Sequence, residues 1–266
     1  MKSARLYLEV GRSTFRRVTT YRAATLAGVV TNTVFGFILA YVLLAVFRER
    51  GTVGGFDATD AVTFVFVTQG MLMVIGIFGN FEMAERVRTG DVAVDLCRPY
   101  DFQAWWLAVH YGKAPFYLLF RGLPPFIVGA LVFHLRLPPD VLTAFAFLGS
   151  VALAVGVAGA YGFIIQSLAF WLLDIRGPSQ VGWIVAQFFS GSYLPLVLFP
   201  SWLEPMARAL PFASMIQLPV EVFLGKHHGA DLLGVYAVQA AWLAALVAIG
   251  RVLLARATHR LVIQGG

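Results

Sequence analysis

Eight charged side chains crowd into one stretch of an otherwise apolar chain. Phe81–Asp101 reads FEMAERVRTGDVAVDLCRPYD and carries Glu82, Glu85, Arg86, Arg88, Asp91, Asp95, Arg98 and Asp101. Apolar runs long enough to cross a bilayer flank it on both sides, so this island must sit in water. Its charges and turn residues follow too ordered a pattern for a plain linker, and it is read as a contact element. Elsewhere the residues that do chemistry are sparse. A phosphate-cradling loop needs a glycine, four residues and then Gly-Lys-Ser/Thr. Gly112-Lys113 and Gly225-Lys226 lack both the leading glycine and the hydroxyl residue. His227-His228 are adjacent, so they point in different directions, and they stand apart from any Cys or Glu cluster at ligand spacing. They are read as surface histidines, and His110 and His134 are isolated. No Gly-x-Ser-x-Gly elbow or His-Glu-x-x-His motif occurs. No line of Asp, Glu or His runs through the apolar segments, which argues against a proton-coupled pump. The sole cysteine, Cys97, excludes an intrachain disulfide.

The elements that must position the island are membrane helices. Of 266 residues, 59% are hydrophobic and 13% charged, against about 25% charged in a soluble domain. Runs of roughly 20 apolar residues match a spanning helix, and their continuity excludes the short alternating strands of a barrel. The expected fold is a single all-α membrane domain over 1–266 with six transmembrane helices. The spans are expected near Ala23–Phe47, Ala61–Phe78, Pro115–Leu135, Val141–Leu173, Ser179–Leu198 and Leu232–Leu254. Before the third span, Phe102–Lys113 carries Trp105, Trp106 and Lys113, as an interfacial segment does. Arg121 falls in the near leaflet, and Pro124-Pro125 should kink the helix.

Lys2–Arg22 places Leu6, Val10, Thr14 and Val18 on one helical face against Arg5, Arg12, Arg16 and Arg17. Such a helix lies flat on an anionic leaflet. Its basic run is too long for a cleaved signal peptide, and no small-residue cleavage site follows the first apolar run. Pro200–Lys226 is apolar, yet Pro200, Pro205, Pro211 and Pro219 divide it into pieces too short to span. Two short helices dipping back into the outer leaflet are expected, with Trp202 at the headgroups and Glu204 and Glu221 facing water. Polar residues within spans, namely Asn32, Thr33, Gln69, Gln166, Gln187, Ser190 and Ser192, must face protein or a water-filled path. Small residues Gly149, Ala152, Gly156, Gly159, Ala160 and Gly162 form a close-packing stripe on span four.

Counting only Lys and Arg fixes the expected orientation. One set of flanks holds thirteen: Lys2, Arg5, Arg12, Arg16, Arg17, Arg22, Arg86, Arg88, Arg98, Arg176, Arg251, Arg256 and Arg260. The other holds five: Arg48, Arg50, Arg136, Arg208 and Lys226. Both termini and the island are therefore expected in the cytoplasm, in a multi-pass protein of the inner (plasma) membrane. The net charge of +6 is read as basic cytoplasmic flanks rather than a nucleic-acid surface.

The basic surface helix, six spans, charged island and proline-broken segment together resemble the type 2 ATP-binding-cassette (ABC) exporter permease family. Glu82…Gly90-Asp91…Leu96-Cys97-Arg98-Pro99 is similar to the family's Glu…Gly…Leu-x-Arg-Pro pattern. Phe199-Pro200-Ser201-Trp202-Leu203 leading to Leu210-Pro211-Phe212 resembles its Leu-Pro-x-Trp-Leu…Leu-Pro hairpin, with Phe199 at a leucine position. The terminal Gly265-Gly266 is similar to a bacterial subgroup. The resemblance implies a non-enzymatic permease that pairs with a second, identical or paralogous permease. ATP and Mg would be bound on separate ABC ATPase subunits, with no cofactor in this chain.

It also implies that the island is the ATPase-coupling element, built from Glu82, Glu85, Arg86, Gly90, Asp91, Asp95, Leu96, Arg98 and Pro99. Gly90 would end one helix in a left-handed cap, Asp91 would N-cap a short second one, and Pro99 would stop it. Val92, Leu96 and Cys97 would then fill a partner's groove, with Glu85, Arg86, Asp95 and Arg98 as rim pairs. Carried over from the family, Asn32, Phe35, Gln187, Phe188 and Tyr193 would line the translocation path, suited to an amphipathic or hydrophobic substrate. Pro200, Trp202, Leu203 and Pro211 would shape the outer hairpin. A secondary transporter or channel without an ATPase is the alternative, disfavoured by the lack of a visible inverted repeat; a membrane-embedded enzyme lacks its catalytic cluster.

Overall fold

The computed structural model describes residues 2–76, 81–172 and 174–258. Phe78, Leu173, His259, Arg260 and Gly265-Gly266 lie outside the described residues. Among the described residues all regular elements are helical. In chain order they are α1 (Lys2–Val18), α2 (Arg22–Arg50), α3 (Ala58–Val74), α4 (Glu82–Thr89), α5 (Val92–Leu96) and α6 (Phe102–Tyr117). Then follow a π turn (Leu118–Gly122), α7 (Leu123–Val132), α8 (Val141–Ser167), a 3-10 turn (Leu168–Phe170), α9 (Arg176–Phe189), a second 3-10 turn (Leu196–Leu198), α10 (Leu203–Ala209), α11 (Gln217–Phe223) and α12 (Ala230–Thr258).

Among the described residues, four helical stretches are long and apolar enough to cross a membrane: Arg22–Glu49, Phe102–Val132, Val141–Phe170 and Ala230–Thr258. The other two expected spans correspond to shorter helices, α3 with 17 residues and α9 with 14. At 1.5 Å per residue these reach about 26 Å and about 21 Å, short of a hydrocarbon core of about 30 Å.

α3 is the centre of the molecule. A capping box starts it: Asp57 Oδ1 accepts the Asp60 N–H at 2.7 Å, and Asp60 Oδ2 accepts the Asp57 N–H at 3.3 Å. Every residue from Asp60 to Met71 is buried, so α3 meets its neighbours in protein on all sides. α2, α7 and the π turn pack against it. The π turn itself has a covalent cause. Pro124 and Pro125 offer no N–H to the carbonyls of Phe120 and Arg121. The chain widens there, and the Leu123 N–H closes on the Leu118 carbonyl instead. The irregularity expected at Pro124-Pro125 thus appears one turn earlier. Widening brings Gly122 against α3, where a Cβ on Gly70 would stand 3.1 Å from the Gly122 Cα.

α8 is the second hub, packed by α6, α11 and α12. Its small-residue stripe is used inside the subunit. Gly149 admits Tyr236, whose hydroxyl donates to the Ala146 carbonyl at 2.7 Å, and Gly156 faces Leu243 of α12. Gln239 of α12 is fully buried and ties three segments. It accepts from Ser150 Oγ at 2.9 Å and donates to the carbonyls of Ser150 and Ser214 at 3.2 and 3.0 Å. Side-chain bonds between membrane helices contribute about 0.6 kcal/mol each.

α1 lies along α6. Val10, Thr14 and Val18 are buried while Arg5, Arg12 and Arg16 are exposed, so the predicted stripe is covered largely by protein. The two helices meet at Gly11 and Gly112, whose backbones touch.

One expected span is broken. The fifth should run unbroken to Leu198, but α9 stops at Phe189. Gly191 takes φ +84°, and an irregular, partly buried segment with Tyr193 exposed follows to Pro195. Gln217 satisfies that coil: its N–H donates to the Ser190 carbonyl at 3.0 Å, and its Oε1 accepts the Leu196 N–H at 3.0 Å. Irregular backbone at membrane depth requires such partners. Downstream, α10 and α11 have seven residues each, and Pro211–Leu224 is buried throughout. This segment is packed into the molecule against α3 and α8 rather than draped over it.

Candidate functional site

The island folds as two short helices, α4 and α5, separated by a break at Gly90-Asp91. α4 begins beneath α8: the N–H groups of Met83 and Ala84 donate to Gln166 Oε1 at 3.0 and 3.4 Å. α4 ends at Gly90, whose φ of +83° is the left-handed cap read from the sequence. α5 then spans Val92–Leu96, with exposed Pro99 just beyond. Asp91 is a correction. Its side chain makes no cap bond and accepts instead from Thr89 Oγ1 at 3.0 Å. The physical reason is its helical backbone, φ −58° and ψ −23°. An N-cap side chain reaches the N2 or N3 amide from an extended conformation.

Asp95 is 5% exposed and held bidentately by Arg86, with Nη2 on Oδ1 at 3.0 Å and Nε on Oδ2. Arg98 Nη1 lies 3.8 Å from the same carboxylate. The hydrogen bond to Asp95 raises the Arg86 pKa above its ordinary value. The two helices are therefore locked by a salt bridge, and Val92 is fully buried with Met83, Phe102 and Phe163. Leu96 packs on the same cluster. Val92 and Leu96 therefore turn inward, where a partner-filling role was expected. The outward apolar side chain of α5 is Val94, beside exposed Cys97 and Arg98. Glu85 pairs with Arg88 along α4, with Nε on Oε2 at 3.0 Å.

Further ties from Glu82 and Asp101 anchor the island. Glu82 accepts from Arg17 of α1 at 3.0 Å and from Lys113 of α6 at 3.3 Å. Burial alone would raise the Glu82 pKa, but these two cations hold it below the usual value. Asp101 caps α6 by accepting the Ala104 N–H at 2.7 Å. The Asp101 N–H donates to the Tyr7 hydroxyl at 2.9 Å, and its carboxylate meets Arg251 of α12. Between α1, α4–α5 and α6 these ties leave a groove of about 760 Å³. Val10, Trp105, Trp106 and Val109 line it together with Glu85, Arg86 and Arg98. Such a groove offers an apolar surface beside charges of both signs, which suits a protein partner. Nothing in the spacing of Arg17, Tyr7 or Arg251 marked them; the fold brings them in from 65 to 150 positions away.

The path candidates separate. Asn32 is buried, and its Nδ2 donates to the Gln69 carbonyl at 3.0 Å. Phe35, Phe188 and Tyr193 are exposed on α2, α9 and the coil after α9. Half-buried Gln187 accepts the Tyr193 hydroxyl at 2.8 Å. In the outer segment Trp202 and Pro200 are exposed, Leu203 is half-buried and Pro211 is buried.

A second charged pole lies at the start of α3 and beyond α11. Asp60 is 1% exposed and receives Arg136 at 2.5 Å and Lys226 at 2.6 Å, while Arg136 also holds Asp57 at 2.9 Å. Nearby Glu221, expected to face water, is buried and accepts from Arg208 (2.7 Å), Gln217 (2.8 Å) and His227 (3.0 Å). Burial would raise its pKa, but those donors bring it down to about 2. His227 is half-buried and also meets Asp231, so it is not the free surface histidine expected from the sequence. Among the described residues no group of His, Cys, Asp and Glu is arranged to hold a metal.

A family model described as ABC-2 family transporter protein matches residues 30–265. No curated protein matches the chain.

Proposed function

The chain belongs to the ABC-2 transporter family, a membrane permease subunit of an ABC transporter, and from that membership we propose that it is an exporter permease driven by separate ATPase subunits. In this reading the α4–α5 island faces the cytoplasm with both termini, and an ATPase docks on the groove between α1, α4–α5 and α6. ATP and Mg sit on that partner. Two permeases pair, each crossing the membrane six times, and α10–α11 re-enter from the outer side. Exposed Phe35, Phe188 and Tyr193, with Gln187, line the path between them and favour an amphipathic substrate. Closure of the ATPases moves α4–α5 as a unit and rotates the attached helices.

The observation that carries this reading is the set of ion pairs tying the island to its neighbours. Arg86–Asp95 locks α4 to α5, and Glu82 locks α4 to α1 and α6. A push on α5 therefore reaches three helices at once. Asp95 is already engaged internally, so the outward positions Val94 and Arg98 are the informative ones to change. V94D together with R98E should leave membrane insertion intact. The variant should lose co-purification with a co-expressed ABC ATPase and lose substrate-stimulated ATP turnover. Full retention of both would sink the coupling assignment.

A further inference from the structure

α6 carries four polar-tipped side chains on one face at steps of four, three and four: Trp106, His110, Lys113 and Tyr117. All four line one cavity of about 280 Å³, closed by α8, by Trp183 of α9 and by the start of α4. The indole Nε1 of Trp106 and the Nε2 of His110 are both buried without a hydrogen-bond partner. An indole nitrogen only donates, and a buried donor left unmet is costly. The cavity therefore asks for an acceptor. Its wall is shaped to admit the imidazole: a Cβ on Gly159 would stand 2.9 Å from His110 Cδ2. Local charge favours an anion: Lys113 and Glu82 line the cavity, and Arg17 of the adjoining groove meets the same Glu82 carboxylate, so two cations share one carboxylate.

We propose that this cavity binds an oxyanion of the phosphate type, as a free ion or as the headgroup of an amphiphile whose chain lies along the apolar wall. Trp106 and His110 donate to its oxygens, and Lys113 supplies the excess positive charge. Gln166 joins the cavity to α4, since it lines the cavity and accepts the Met83 and Ala84 N–H groups. Occupancy is thereby placed directly under the island. The cavity adjoins the docking groove and shares Glu82, Trp106 and Val109 with it, but its test uses the chain without an ATPase, so either assignment can fail alone.

The test is binding of dodecyl phosphate to the full chain in maltoside micelles, counted by native mass spectrometry and by thermal shift. The parent chain should retain one dodecyl phosphate and melt several degrees higher with it. Dodecyltrimethylammonium and dodecanol should produce neither effect. A matching shift with inorganic phosphate alone would assign the free ion as the source; no shift with it would assign the headgroup. W106F and H110F should each weaken retention at least fivefold, provided that their melting without ligand stays cooperative. Equal stabilisation of the parent by the cationic amphiphile would overturn the proposal, as would undiminished retention in the folded double variant. The comparison of probes on the parent chain needs no variant and decides the matter if the variants do not fold.

Discussion

His227 sits with one ring nitrogen 3.0 Å from Glu221 and the other 2.5 Å from Asp231. Its hydrogen bond to Glu221, assisted by Asp231 and opposed by burial, raises its pKa above the ordinary value. A raised folded-state pKa means that the stabilisation is full below the unfolded pKa and is lost as pH rises through the folded one. H227Q should therefore lower the melting temperature in detergent at pH 6 and leave it nearly unchanged at pH 9. An equal loss at both pH values would refute the charged pair. Glu221 works in the opposite sense. Its depressed pKa gives stabilisation that is present above the unfolded value and is lost as pH falls toward 2. E221Q leaves Arg208 with Glu204 alone, and should cost about 2 kcal/mol at neutral pH, read as a fall in melting temperature. At this scale the sequence was least legible. Charges and in-span polar residues could be named, but not their partners, because Glu82–Lys113, Asp60–Lys226 and Gln166–Met83 join segments far apart in the chain.

Single elements were more readable, since their signals are local. Gly90 announced the break between α4 and α5, and apolar length announced α2, α8 and α12. The end of α9 escaped because Ser190–Leu198 is as apolar as a helix would be. The segment leaves the α-helix at Gly191 and ends in a 3-10 turn over Leu196–Leu198, and Gln217, far along the chain, meets its backbone at Ser190 and Leu196. Val92 escaped for a related reason: a five-residue helix has no periodicity from which to read its inward face. The α1–α6 crossing yields an asymmetric prediction. A Cβ on Gly112 would overlap the Gly11 backbone, whereas one on Gly11 would stand 3.6 Å from the Ala108 carbonyl. G112A should destabilise the chain by about 1–3 kcal/mol and expose α1 to proteolysis, while G11A should be nearly silent. Equal tolerance of both would show that α1 is not seated on α6 as described.

For the whole molecule, the permease reading places α2 and α9 where two copies face each other. In a C97A background, F188C should form a disulfide-linked dimer under mild oxidation in membranes, and V238C, on the exposed part of α12, should not. A dimer formed only by V238C would move the interface elsewhere. The sequence reading expects six crossings, yet two of those positions hold helices of 17 and 14 residues, α3 enclosed by its neighbours and α9 largely exposed. The buried Asp60 carries a consequence for biosynthesis. Its carboxylate is matched by Arg136 and Lys226, which a ribosome delivers 76 and 166 residues later. α3 thus leaves the ribosome carrying a charge that its own segment cannot neutralise. Until Arg136 and then Lys226 have emerged, that carboxylate is best kept in a hydrated or chaperoned place. Truncations ending before residue 226 are expected to be recognised as unfinished and degraded, which makes this clasp a natural checkpoint on assembly.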